Sequence, residues 1–122
     1  MLFIKAVGNK ARTPLYLYIP VMKEKFATII QSEIPVLVDF YATWCGPCVG
    51  MLPVLDALKK DLGDGIRIIK IDVDKNTDLA VKLKVMGVPT LALFRSGTEL
   101  WRHPGVLTKE QLKTEIESAQ KK

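Results

Sequence analysis

The chain has 122 residues, 48% of them apolar and 25% charged, with a net charge of +5. That is enough for one compact domain with its own core, and too little for two. Lys and Arg are not gathered on one element with aromatics between them, which argues against a nucleic-acid surface. No apolar run reaches the ~18 residues of a membrane span. Much of the excess charge lies at the ends, at Lys5, Lys10, Arg12, Lys121 and Lys122, and reads as solvated surface.

Residues 1–13 read as an N-terminal extension. The apolar Leu2-Phe3-Ile4 is followed by Gly8-Asn9-Lys10, which breaks any pattern, and a frayed arm, an added edge strand and an artificial addition all remain open. Lys10 and Arg12 before an apolar stretch from Pro14 to Met22 loosely imitate an export signal. Two prolines inside that stretch, and Lys23-Glu24-Lys25 in place of a small-residue cleavage site, argue against it. The expected compartment is the cytoplasm, with an exported location as the alternative.

Residues 14–122 alternate in pattern. Leu15–Ile19 is rich in β-branched and aromatic side chains and reads as a strand. Residues 21–31 put Met22, Phe26, Ile29 and Ile30 on one helical face. The segment from Pro35 to Ala42 is almost continuously apolar, as a strand covered on both faces should be. Residues 47–61 are helical by spacing, with Met51, Leu52, Leu55 and Leu58 on one side and a kink expected at Pro53.

Ile66–Ile71 reads as a second buried strand. Asn76 is placed to cap a short helix carrying Leu79, Ala80 and Leu83, which Gly87 closes. Thr90–Phe94 and Glu99–Arg102 flank Ser96-Gly97, a hairpin signal. Thr108 with Gln111 forms a capping box for the last helix, Leu107 and Leu112 occupy the staple positions, and Leu112, Ile116 and Ala119 face inward. The order β-α-β-α-β-α-β-β-α makes strands separated by helices parallel neighbours and adds antiparallel strands late. The expected class is α/β: a mixed sheet of four to five strands with helices on both faces.

The chemistry is expected at Trp44-Cys45-Gly46-Pro47-Cys48. These are the only two cysteines, three residues apart. A disulfide between them closes a loop too small to constrain the unfolded chain, so stability is a poor reason for it. At a helix N-terminus, Cys45 gains the free N–H groups and the positive end of the dipole, which favour a thiolate. Cys48, one turn on, faces the same side and can expel a mixed disulfide. Gly46 permits the turn, and Pro47 sits near the first helical position, where its missing N–H costs nothing. Cys45 is therefore assigned as nucleophile and Cys48 as resolving thiol. A zinc site lacks ligands, since only His103 could join the pair, so no metal is expected. A cluster shared between two chains and an inert surface disulfide are the remaining alternatives.

Asp39 interrupts an otherwise apolar strand. Period-2 alternation can point it to solvent, a lysine can neutralise it, or burial can poise it as a proton acceptor for Cys48. Lys70 interrupts Ile66–Ile71 in the same way. It reads by itself as a solvent-facing lysine and is also a candidate partner of Asp39. Pro89, after Val88, is unremarkable as the first residue of a strand.

With these residues placed, the chain resembles the thioredoxin family. The resemblance rests on Leu37–Ala42 followed by Trp44–Cys48, on Pro53, Lys70, Ile71-Asp72, Val88-Pro89-Thr90, Gly97 and Gly105, and covers roughly residues 15–120. It implies a thioredoxin fold and reduction of protein disulfides by dithiol-disulfide exchange through Cys45 and Cys48. It implies Asp39 as the buried acid/base behind Cys48 with Lys70 near it, and Pro89 as a cis-proline. Trp44, Gly46, Pro47, Val88, Pro89 and Gly105 become a surface for docking extended polypeptide. No cofactor is bound on this reading, and an NADPH-dependent flavoprotein, thioredoxin reductase, recycles the redox-active disulfide. The expected partners are that reductase and disulfide-containing client proteins, with the chain a monomer and neither nucleic acid nor membrane engaged. The chain departs from the family at Val49, where a basic residue is common, and at Pro104. An exported thioredoxin-like protein of a dedicated redox pathway and a redox-independent binding subunit are the alternative functions.

Overall fold

In the computed structural model, residues 2–6, 16–19 and 22–121 are described. A six-stranded mixed sheet runs through the molecule in the order β2-β1-β4-β3-β5-β6. Its strands are β1 (Leu2–Ala6), β2 (Tyr16–Ile19), β3 (Val36–Tyr41), β4 (Arg67–Asp72), β5 (Thr90–Arg95) and β6 (Thr98–Pro104). The helices are α1 (Met22–Ile29), α2 (Gly46–Leu62), α3 (Thr77–Lys82) and α4 (Lys109–Gln120). The sheet has more strands than the expected four to five because Leu2–Ala6 joins it. That segment is also not at the edge: it pairs antiparallel with β4 on one side and with β2 on the other. The strand after the leader therefore gains no parallel neighbour, because β1 stands between it and β4. Leu15 and Pro14 lie outside the described residues.

β3 is central, parallel to β4 and antiparallel to β5. Its continuous apolar character follows from that position, since Val36, Leu37, Val38 and Phe40 are all sealed from solvent. Alternation sorts them by face. Val36, Val38 and Phe40 pack with Phe26 and Ile29 of α1 and Leu79 of α3. Leu37 packs on the opposite side with Met51, Leu55 and Leu58 of α2 and with Leu112, Ile116 and Ala119 of α4. Helices thus cover both faces. Pro53 lies inside α2, which runs on past it to Leu62.

The hairpin and the final helix form for local reasons. Ser96 and Gly97 both have positive φ, 52° and 83°, the conformation a tight two-residue hairpin demands. Their amides donate to Ser32 and Ile30 carbonyls, which ties the hairpin tip to the end of α1. The capping box of α4 is complete, with Thr108 and Gln111 each accepting from the other's amide. Leu107 and Leu112 both pack in the α2–α4 core layer.

Two local expectations change. Asn76 occupies the N-cap of α3, but its side chain does not cap the helix; its amide donates to the Asp72 carbonyl at 2.8 Å. Nor does Gly87 close α3. The helix ends at Lys82, and Lys84 takes the left-handed turn at φ 58°. The Arg102 guanidinium donates to the Lys84 carbonyl, and such a tertiary tie is invisible to a search for glycine.

Candidate active site

β3 delivers its last residues to the carboxyl end of the sheet, where α2 begins. The chain turns there with the Cys45 amide donating to the Ala42 carbonyl. Cys45 then occupies the N-cap of α2 in extended conformation, and its sulfur accepts from the Cys48 amide at 3.2 Å. The sulfur takes the place that a serine or aspartate oxygen usually fills. The first turn of α2 holds no carboxylate, so nothing on the helix itself competes for its N–H groups. Negative charge developing on this sulfur is stabilised where it stands.

Cys45 and Cys48 are joined as a disulfide, with their Cα atoms 5.3 Å apart. Cys45 is 5% exposed and Cys48 1%, so an incoming sulfur meets Cys45 first. The pair packs in a small apolar cluster with Ala42, Tyr41, Val73 and Val88. Gly46 and Pro47 form the first turn of the helix beside it.

Trp44 is 71% exposed. Its indole N–H donates to Asp74 at 2.8 Å, which fixes a large apolar face at the rim of the disulfide. Asp74 is in turn held by the loop after β4, where Asp72 accepts from the amides of Asp74 and Lys75. Sequence reasoning missed Asp74 because its partner lies 30 residues away. The available signal was the Asp72-x-Asp74 turn directly after a buried strand. Val73 was missed too; its amide donates to the Tyr41 carbonyl, which lays it against the cysteines.

The Val88–Pro89 peptide is cis. The Pro89 carbonyl accepts from the Gly105 amide at 2.8 Å, so the two loops beside the disulfide are joined. Gly105 has φ 101°, where a side chain would be strained. Val88 packs against the cysteines, and Trp44 directly precedes Cys45 in the chain.

Asp39 and Lys70 both depart from the solvent-facing placement that alternation allows. Asp39 is fully buried. It shares the α2-facing side of β3 with Leu37, between that core layer and Tyr41 at the cysteines. Lys70 is its register partner on β4 and is also buried, at 5% exposure, not solvent-facing. The Lys70 ammonium stands 3.7 Å from an Asp39 oxygen and 4.1 Å from the centre of the Tyr41 ring. The ion pair is too long for a hydrogen bond, and neither Asp39 oxygen has a hydrogen-bond partner among the described residues. Burial pushes the carboxyl up to about 6, against the opposing pull of Lys70. A carboxyl so placed can take and return a proton near neutral pH. Among the described residues, no group of three or more His, Cys, Asp or Glu is arranged to hold a metal ion.

Fold and site together define an α/β protein whose Cys-x-x-Cys disulfide caps a helix at the carboxyl end of a mixed sheet. The family model described as Thioredoxin matches residues 18–118. The chain is 47% identical over 89 residues to "Thioredoxin Y, chloroplastic" of Oryza sativa subsp. japonica, covering 73% of this chain and 53% of that protein. It is 40% identical over 91 residues to the thioredoxin of Alicyclobacillus acidocaldarius, covering 75% of this chain and 87% of that one. Among solved structures, oxidized mitochondrial thioredoxin 3 from Saccharomyces cerevisiae superposes with a TM-score of 0.71 at 33% identity, covering 79% of this chain and 89% of that one. The chain spans about half the length of the plant relatives it matches and most of the bacterial one. It belongs to the thioredoxin family.

Proposed function

We propose that the chain is a protein-disulfide reductase working by dithiol-disulfide exchange. The observation that carries this is the placement of Cys45 at the N-cap of α2, more exposed than Cys48 and bonded to it. In the reduced protein, the Cys45 thiolate attacks one sulfur of a client disulfide. The client S–S bond breaks, a Cys45–client mixed disulfide forms, and the released client thiolate takes a proton. Cys48 then loses its proton, with Asp39 as acceptor, and attacks the Cys45 sulfur. The Cys45–Cys48 disulfide forms and the second client thiol leaves. Two electrons pass to the client, and a flavoprotein thioredoxin reductase restores them from NADPH.

Trp44, Gly46, Pro47, Val88, Pro89 and Gly105 form the surface on which an extended client segment lies, with the Val88 backbone able to pair with it. Lys70 is a positioning residue that holds the charge balance of Asp39. Residues 14–122 carry the redox domain, to which the extension 1–13 adds a strand. We assign a monomer acting in a reducing compartment, the cytoplasm in our reading. A plastid is the alternative favoured by the chloroplastic names of the plant relatives. The test is insulin reduction coupled to NADPH oxidation through a supplied thioredoxin reductase. Turnover by the native chain and none by Cys45→Ser is expected. No turnover with several reductases, by protein shown to be folded, refutes the proposal.

A further inference from the structure

Beside the disulfide, between α2 and the start of α4, lies a cavity of about 410 Å³. Pro47, Gly50, Met51 and Val54 line it from α2, at the spacing of one helical face, and Val106 and Leu107 close the other side. Met51 is fully buried beneath it, whereas Val106 stands 53% exposed at its mouth. Two polar side chains reach the wall, Thr108 and Gln111, but each commits its oxygen to the amide of the other in the α4 capping box. The cavity therefore offers apolar surface and little to orient a polar ligand.

Gly50 is the unexplained member. Glycine inside a helix is about 1 kcal/mol less favourable than alanine. Close packing does not require it here, because a Cβ at this position would meet nothing within 4 Å. What the missing side chain does is leave the cavity open. Pro47 belongs both to the cavity wall and to the first turn beside the cysteines, so the cavity is continuous with the surface a client must cover.

From these observations we infer that the Gly50 cavity receives an aliphatic side chain of the disulfide-bearing polypeptide, and so selects clients by sequence near their cysteines. This rests on the oxidoreductase reading above. Gly50 lies five residues along α2 from Cys45, roughly 7.5 Å at the rise of a helix. An extended client at roughly 3.4 Å per residue brings a side chain there two or three positions from its reacting cysteine.

The test compares two disulfide-linked peptides, one with leucine and one with serine at those positions. The readout is the ratio of their kcat/KM values, which cancels any change in thiol reactivity. The native chain should prefer the leucine peptide about tenfold, equivalent to ~1.4 kcal/mol. Gly50→Leu, which fills the cavity and raises helix propensity, should bring the ratio close to one. Gly50→Ala, which changes propensity but leaves most of the cavity, should keep it near ten. A native ratio of one, a ratio unmoved by Gly50→Leu, or a ratio abolished by Gly50→Ala overturns the cavity assignment while both peptides are still reduced. Reduction of neither peptide by the native chain overturns the oxidoreductase reading itself, and this inference with it.

Discussion

Asp39 should make the protein less stable as pH rises, and Asp39→Asn should remove that dependence. The carboxyl is sealed from solvent, and its pKa rises from 3.8 to about 6, chiefly through burial. The folded chain therefore binds this proton more tightly than the unfolded chain does. Stability contributed by the protonated form is present below pH ~4 and is lost as pH climbs through the folded value near 6. Each tenfold gain in proton affinity is worth roughly 1.4 kcal/mol, so the rise from 3.8 to about 6 comes to ~3 kcal/mol. In the folded chain at about pH 4 the native side chain and asparagine are both neutral, and Lys70 faces an uncharged group at this position in either protein. The comparison thus isolates the ionisation of Asp39. The assay is urea denaturation of both oxidised proteins at about pH 4 and about pH 7.5, on either side of the folded value. The stability of Asp39→Asn relative to the native chain should improve by ~2 kcal/mol between the two conditions, somewhat less than the full linkage because the unfolded carboxyl is already partly ionised at about pH 4. A difference that stays constant, or that moves the other way, refutes the burial argument.

Lys70→Met should raise the Asp39 titration above about 6, because Lys70 is the group that lowers it. Carboxyl carbon NMR shifts followed against pH would show the midpoint move up, and a downward move would contradict the pairing. Thr108→Ala removes one side of the α4 capping box and should cost ~1 kcal/mol, or about 4 °C in Tm by calorimetry. Gly97→Ala forces a side chain into the positive-φ turn at 83°. It should cost about 1–2 kcal/mol in chemical denaturation, with the thiol chemistry intact.

The elements that could be read from the residues are those whose cause is local. β3 was legible because burial on both faces leaves a continuous apolar run, and α4 because Thr108, Gln111, Leu107 and Leu112 stand at fixed offsets around its start. The cysteines were legible for a similar reason: a Cys-x-x-Cys pair at the junction of strand and helix is placed by the chain itself. Other features depend on what the fold brings together. The burial of Lys70 follows from its register opposite Asp39 on a strand some thirty residues away, which no periodicity encodes. Asp74 gains its role from the Trp44 indole, also distant in the chain. The end of α3 misled because Lys84 adopts a conformation usually left to glycine, held there by Arg102 from β6. The entry of Leu2–Ala6 between β2 and β4 is likewise a tertiary choice; three apolar residues in a leader do not specify a partner strand.

If Cys45 attacks and Cys48 resolves, the two cysteines must differ in their ability to hold a client covalently. Trapping of the mixed disulfide tests that difference most directly. Cys48→Ser, mixed in reduced form with insulin, should accumulate a covalent adduct that dithiothreitol releases, whereas Cys45→Ser should accumulate none. Adducts formed equally by both variants, or only by Cys45→Ser, would contradict the account.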